Sequence, residues 1–126
     1  KSTVDFDGTY KSMSLYYEAK TTSKPYFPLE NVSNHQVEHL IKQANVGALC
    51  FFLVHFEKTQ DTYVFPLQSL LYYWSRWKAK KRGYRHIPID DFNTYAFKVK
   101  NTARARLDYL NQVDTLIKLL EEKDEA

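Results

Sequence analysis

The chain has 126 residues, of which 44% are hydrophobic and 16% aromatic, with a formal net charge of +3 and a pI of about 8.9. This length suits a single domain with a modest core, and the composition excludes a disordered chain. No apolar run approaches the roughly 18–20 residues that span a bilayer, so we predict no membrane segment. The lone cysteine, Cys50, excludes an internal disulfide and fits a reducing, cytoplasmic setting.

A hairpin and a helix are predicted in the first part of the chain. Residues 3–9 and 13–20 each alternate apolar and polar side chains, which is typical of strands, and residues 11–12 offer a turn between them. Residues 21–34 carry two prolines and are predicted to form a loop. Ser33 then caps a helix, because a glutamine follows three residues later and apolar side chains recur at i, i+3, i+4 and i+7.

The middle of the chain predicts two strands and a second helix. Gly47 ends the first helix, and residues 49–56 follow as a strand that is apolar on both faces and therefore central in its sheet. Residues 62–65 form a shorter strand. Residues 67–80 form a helix with an apolar side, which Gly83 closes.

The final third is predicted to be mainly helical. Asp90 caps a short helical turn, residues 97–99 are extended, and apolar positions from Leu107 to Leu120 predict a last amphipathic helix. The order strand, strand, helix, strand, strand, helix, helix indicates an α/β fold with a mixed central β-sheet flanked by helices.

The hairpin brings charged residues together. Counted from the turn at residues 11–12, paired positions sum to 23, so Asp5 faces Glu18 and Thr3 faces Lys20. Two facing carboxylates repel one another, and a bound Mg²⁺ ion removes that conflict. The Lys20 ammonium would then orient a water or stabilise phosphate charge, and the Thr3 hydroxyl would hold that water or a phosphate oxygen. The alternative is a solvated strand face with ordinary surface charges.

Five segments of the sequence carry a resemblance to a known family, namely STVDFDG, EAKTTSKPYFPLENVSNHQVEH, GALCFFLVHF, YVFPLQSLLYYW and RLDYL. With them the chain resembles the RecU family of Holliday junction resolvases, in the restriction-endonuclease-like group, over about residues 1–113. The resemblance implies metal ligation by Asp5 and Glu18, catalysis by Lys20 and a supporting role for Thr3. The implied cofactor is Mg²⁺, with Mn²⁺ as an alternative.

The resemblance also implies an activity and partners. It implies a homodimer that nicks opposing strands of four-way junction DNA symmetrically, in recombination and repair, with recombinase or branch-migration proteins as further candidate partners. Residues 1–126 are then a single nuclease domain that lacks the family's N-terminal segment and stalk; the start at Lys1 rather than methionine fits part of a longer protein. The alternatives are a junction-binding accessory protein with weak catalysis and a restriction-like nuclease that cuts ordinary duplex.

Further positions are candidates for DNA contact. The candidate DNA-binding residues are Lys24, Gln36, Lys80, Lys81, Arg82 and Arg85. Phosphate contacts by cations supply much of the sequence-independent affinity for DNA. Gln36 is a candidate to contact the DNA backbone or the water shell of the metal, and its alternative is simple helix capping. The alternative for the basic run is a solvated helix end. Four aromatic residues are predicted to serve the core or a dimer interface rather than base stacking, namely Tyr72, Tyr73, Trp74 and Trp77.

Overall fold

The computed structural model of the protein describes residues 6–10, 12–99, 113–114 and 117–118. Its strands are β1 (Phe6–Tyr10), β2 (Met13–Thr22), β3 (Tyr26–Pro28), β4 (Leu49–Phe56), β5 (Asp61–Pro66), β6 (His86–Pro88) and β7 (Phe97–Val99). Its helices are α1 (Asn34–Asn45), α2 (Leu67–Lys78) and α3 (Ile89–Tyr95). Within these residues, no helix has both the length and the apolar composition needed to cross a membrane.

Five of the strands form one mixed sheet in the order β1-β2-β4-β5-β7. β2 and β4 are parallel, whereas the other neighbours in this sheet are antiparallel. Parallel neighbours need a crossover connection, and α1 supplies it between β2 and β4. The predicted α/β fold with a mixed sheet flanked by helices is therefore confirmed.

The hairpin register agrees with the prediction over the described residues. Phe6 pairs with Tyr17 and Tyr10 pairs with Met13, so the paired positions sum to 23. The connection between the two strands is two residues long, and its second residue, Ser12, has a φ of 65°. Thr3 and Asp5 precede this stretch and lie outside the described residues. Their pairing with Lys20 and Glu18 therefore stays a prediction.

Helix α1 begins and ends at the signals found in the sequence. The Ser33 side chain accepts a hydrogen bond from the Gln36 backbone N–H (3.1 Å), and the Gln36 side chain accepts one from the Ser33 backbone N–H (3.1 Å). These two bonds form the predicted capping box. Beyond the helix, Gly47 has a φ of 97°, a conformation that favours glycine, and its N–H donates to the Ala44 carbonyl (3.1 Å).

The central strand β4 is buried on both faces, as its apolar sequence predicts. One face, here called the helix-covered face, packs against α1, α2 and α3. Phe92 lies in this core, and the centroid of its ring is 4.5 Å from that of Phe65. The opposite face packs against two helical residues, Val113 and Ile117. They belong to the predicted last helix, whose remaining positions, including Leu107, Leu110 and Leu120, lie outside the described residues.

The structure corrects three local predictions. The predicted loop 21–34 contains β3, which pairs with β6 in a separate two-stranded ribbon. Helix α2 ends at Lys78 rather than near residue 80, and Lys80 takes a positive φ of 64° directly after the cap, before Gly83 is reached. Asp90 lies in the first turn of α3, whereas the residue before the helix is Pro88, which makes no side-chain cap. The short helix and the extended residues of β7 are confirmed.

Candidate functional site

The candidate site is built around a buried carboxylate on β2. Glu18 is only 3% exposed, and it pairs with Phe52 on the neighbouring strand β4. Its Oε1 accepts a hydrogen bond of 2.8 Å from Nε2 of Gln36, in the first turn of α1. Oε1 of Gln36 accepts a hydrogen bond from the Ser33 backbone N–H in the capping box. This bond fixes the direction of the Gln36 side-chain amide, which donates to Glu18. The helix start and the strand carboxylate are thus one connected unit.

Lys20 lies on the same face of the sheet as Glu18. Side chains alternate along a strand, so positions 18 and 20 share a face and their Cα atoms are roughly 7 Å apart. Both residues are on the helix-covered face, since Phe52 and Val54, their neighbours on β4, belong to the core on that side. Lys20 is half-buried. The structure therefore brings a carboxylate, an ammonium group and an amide to one region of the sheet.

The loop that carries Lys24 is anchored by a buried threonine. Oγ1 of Thr22 donates to the carbonyl of Tyr26 (3.0 Å) and accepts from the backbone N–H of Lys24 (3.2 Å). These bonds stabilise the turn between the last residue of β2, Thr22, and the first residue of β3, Tyr26. Lys24 itself is exposed, so its ammonium group can reach a ligand at the end of the strand that carries Glu18 and Lys20.

The predicted basic residues after α2 gather at a different place. Lys80, Lys81 and Arg82 are exposed and line a surface cavity of about 320 Å³. Arg85 also lines it, but its guanidinium forms an ion pair with Glu30. The charge of Arg85 is therefore partly neutralised within the chain. Among the described residues, no ion pair involves Lys80, Lys81 or Arg82.

Two of the predicted DNA-binding residues lie at opposite ends of the β3–β6 ribbon. Arg85 precedes β6 and its carbonyl accepts from Leu29, directly after β3. Lys24 precedes β3, and the neighbouring Pro25 carbonyl accepts from Ile89, directly after β6. Because Arg85 stands opposite Leu29 and Lys24 lies five positions before Leu29, the backbones of the two residues are roughly 16 Å apart. The structure therefore brings Glu18, Lys20 and Gln36 to one region and places residues 80–85, here called the basic loop, apart from Lys24.

The donor chemistry at β2 fits a hard divalent cation. Mg²⁺ prefers oxygen ligands and is commonly bound through one or two carboxylates. Glu18 provides one carboxylate, oriented by Gln36. Within the described part of the chain, no group of three or more histidine, cysteine, aspartate or glutamate side chains could hold an ion. The second predicted ligand, Asp5, lies outside that part.

Together, the mixed sheet, the helices α1, α2 and α3 on one face, and the glutamate and lysine two residues apart on an interior strand define a restriction-endonuclease-like α/β domain. Residues 1–115 match the family RecU, described as Recombination protein U. The chain belongs to the RecU family.

Curated relatives agree with this assignment. The chain is 35% identical over 117 residues to the Holliday junction resolvase RecU of Ligilactobacillus salivarius (strain UCC118), covering 92% of this chain and 54% of the relative. It is 32% identical over 117 residues to the protein of the same name from Staphylococcus aureus (strain JH9), covering 92% of this chain and 55% of the relative. The chain thus spans about half the length of the curated relatives it matches.

Sequence reasoning named Glu18, Lys20 and Gln36 as candidate site residues but missed one contact between them. It treated Gln36 as a capping residue or as a contact to the DNA backbone or the water shell of the metal, and the structure adds its bond to Glu18. The available signal was the capping box itself, because it fixes the direction of the glutamine amide. That the amide then meets position 18 depends on how α1 packs on β2, which local sequence does not encode.

Proposed function

We propose that the protein is a Mg²⁺-dependent, structure-selective DNA endonuclease that resolves Holliday junctions by paired symmetric nicks, in recombination and repair. The observation that carries this proposal is the buried Glu18 carboxylate, held by Gln36 and followed by Lys20 on the same face of β2. Membership of the RecU family supports it, because the curated relatives are named Holliday junction resolvases. Residues 1–126 are proposed to form a single nuclease domain.

In this proposal each residue has a distinct role. Glu18 and Asp5 would hold the ion, which when bound activates a water molecule and neutralises charge on the scissile phosphate. Lys20 would offset the negative charge that develops on the phosphate oxygens, and Thr3 would hold the attacking water. Gln36 keeps the Glu18 carboxylate in one orientation, which removes the cost of ordering it during the reaction.

The proposal extends to the partners of the protein. A two-fold symmetric homodimer matches a junction that needs two opposing nicks. Recombinases and branch-migration proteins act on the same DNA intermediate and are the proposed protein partners. The free thiol of Cys50 fits a reducing compartment, and we place the protein in the cytoplasm.

A cleavage assay on the intact protein tests the proposal. Labelled four-way junction and labelled linear duplex are each incubated with Mg²⁺ or with EDTA. We expect Mg²⁺-dependent nicking of the junction and little cleavage of the duplex. Glu18→Gln removes the charge but keeps an oxygen that can accept from Gln36, so cleavage should be abolished while junction binding persists.

The matched control is Glu38→Gln, which changes an exposed glutamate on α1 and should leave cleavage unchanged. Asp5→Asn should behave like Glu18→Gln. If the wild-type protein binds junctions but never nicks them with Mg²⁺, the accessory function is correct instead. Equal cleavage of duplex and junction would identify a restriction-like nuclease and contradict the resolvase proposal.

A further inference from the structure

A group of tyrosines lies on the outer side of α2 and at the end of α3. Tyr72 is 43% exposed and Tyr95 is 48% exposed, although both are large aromatic residues. Their rings are nearly parallel, with an interplanar angle of 22° and centroids 6.2 Å apart. Together with Tyr84 and the buried Tyr73 they line a surface cavity of about 360 Å³, here called the tyrosine cavity.

Polar contacts bind the Tyr72 ring, the Tyr73 hydroxyl and the Tyr95 backbone at the tyrosine cavity. The guanidinium of Arg76 lies 3.7 Å from the centre of the Tyr72 ring, and its Nη1 donates to the Tyr72 carbonyl (2.9 Å). The hydroxyl of Tyr73 donates to Oδ2 of Asp91 (2.7 Å), and burial followed by this bond raises the pKa of Tyr73. Ser69 donates to the Tyr95 carbonyl (2.9 Å). A planar ligand would therefore meet preformed aromatic surfaces.

The tyrosine cavity adjoins the cavity of the basic loop. Arg82 and Gly83 line both. Lys78, Lys80 and Lys81 line only the cavity of the basic loop, here called the basic cavity. A ligand that crosses from one cavity to the other would meet cations first and aromatic rings next. That order matches a nucleotide, in which a charged phosphate and a planar base are linked by a sugar.

The charge around the two cavities favours a polyanion over a protein segment. Among the residues that line them, Asp91 is the carboxylate, and it already accepts the hydroxyl of Tyr73. The other charged lining residues are Lys78, Lys80, Lys81, Arg82 and Arg85. Base stacking on aromatic side chains beside a positively charged groove is the usual way to bind unpaired nucleic acid.

We propose that the tyrosine cavity binds an unpaired DNA base, stacked on Tyr72 and Tyr95, while the adjoining phosphates lie against Lys81 and Arg82. This inference rests on the proposed function in taking DNA as the polymer, and it adds a binding site for unstacked nucleotides at the branch point. It differs from the sequence-based prediction that Tyr72 serves the core or a dimer interface rather than base stacking.

The test measures binding of the intact protein to a short oligothymidylate in EDTA, by fluorescence anisotropy. Tyr72→Ala combined with Tyr95→Ala should weaken this binding about tenfold or more, since loss of an aromatic ring that stacks on a base typically costs at least this much affinity. A 2-aminopurine in the strand should be quenched by the wild-type protein and not by this variant. Fully paired duplex should bind equally well to both proteins.

Tyr72→Phe combined with Tyr95→Phe is the control, because it keeps the rings and should retain both affinity and quenching. Thermal unfolding of all variants checks that the fold is intact. Unchanged oligothymidylate binding by the alanine variant overturns the inference. Unchanged DNA binding with a lower molecular mass in sedimentation would make the tyrosines a protein interface, which also overturns it.

The same samples separate this inference from the proposed function. If wild-type protein fails to nick junctions with Mg²⁺ but binds oligothymidylate through the tyrosines, the resolvase proposal fails and the base site stands. If junctions are nicked and the alanine variant binds oligothymidylate normally, the resolvase proposal stands and the base site fails.

Discussion

Gln36 connects local helix formation to the candidate site. Its backbone and side chain form the capping box with Ser33, and its remaining amide group binds Glu18. One side chain thus fixes both the start of α1 and the orientation of a buried carboxylate. This dual contact allows stability and activity to be separated by mutation.

We predict that Gln36→Ala and Ser33→Ala each lower the free energy of unfolding by about 1 kcal/mol, because each breaks part of the cap. Only Gln36→Ala should also slow Mg²⁺-dependent junction cleavage, by about 10–100-fold, as is typical when a residue that orients a metal ligand is lost. Urea unfolding and single-turnover cleavage measure the two effects. Equal losses of activity in both variants would mean that the helix cap alone matters.

A second prediction at the residue scale concerns the buried thiol of Cys50. Burial raises its pKa from 9.0 to about 11. Below pH 9.0 the thiol is protonated in both the folded and the unfolded protein, so it adds no pH dependence there. Between 9.0 and about 11 the unfolded chain loses this proton first, and stability falls as the pH rises, by an amount on the order of 2–3 kcal/mol.

The measurement is urea unfolding across this pH window for wild-type protein and Cys50→Ala. The variant should start less stable, because a buried side chain is shortened, but it should lose less stability with rising pH. Burial also raises the pKa of Tyr63 and of Tyr73, and their contribution is present in both proteins and cancels in the difference. Parallel pH profiles would show that the thiol is not desolvated.

At the scale of elements, the residue that follows the C-cap of α2 has a left-handed backbone conformation, which glycine usually adopts. Lys80 has a φ of 64° directly after the cap residue Ala79. Its N–H donates to the Trp77 carbonyl, and that of Lys81 donates to the Arg76 carbonyl, which together form a Schellman motif. A lysine in this left-handed position costs stability, and such local strain is commonly found at functional sites.

We predict that Lys80→Gly raises the free energy of unfolding by about 0.5–1 kcal/mol, since glycine adopts this conformation without strain. The same variant should bind four-way junctions more weakly, because it removes a cation from the basic cavity. Gly83→Ala is the control with the opposite expected effect on stability. Gly83 has a φ of 84° and open space around it, so alanine adds backbone strain but no clash. We expect this variant to lower the free energy of unfolding by roughly 1 kcal/mol without changing the charge. A Lys80→Gly variant with unchanged junction affinity would remove Lys80 from the proposed DNA contacts.

At the scale of the whole molecule, the described structure separates the two proposed sites in space. Glu18 and Lys20 lie on β2, an interior strand of the sheet, whereas the basic loop follows α2 and enters the β3–β6 ribbon. The ribbon is tied to the end of β2 through Thr22 and Tyr26. The basic loop therefore has a fixed position relative to the candidate site, as a DNA-holding surface requires.

We predict that salt dependence distinguishes free cations from paired ones on this surface. For Lys81→Gln, the slope of log affinity against log salt for junction binding should fall by about one, the value for one lost phosphate contact. Arg85→Gln should change the slope much less, because Arg85 is already paired with Glu30. Anisotropy titrations at several salt concentrations measure both slopes, and equal changes would mean that Arg85 releases Glu30 when DNA binds.

Much of the fold could be predicted from sequence because its signals are local. The alternation of residues around a two-residue turn determined the hairpin register, and Ser33 with Gln36 determined where α1 begins. The doubly apolar run of β4 placed it in the centre of the sheet. Each signal involves residues a few positions apart, whose spacing the chain itself fixes.

Only the tertiary structure decided the contacts between distant positions. β3 and β6 are three residues long and almost sixty apart, too short to show a period and too far apart to imply a partner. The bond from Gln36 to Glu18, the pairing of Arg85 with Glu30 and the exposure of Tyr72 all depend on how helices and ribbon pack. The sequence therefore determined which groups are candidates for the chemistry, and packing decided which of them meet, because side-chain contact requires the chain path in three dimensions.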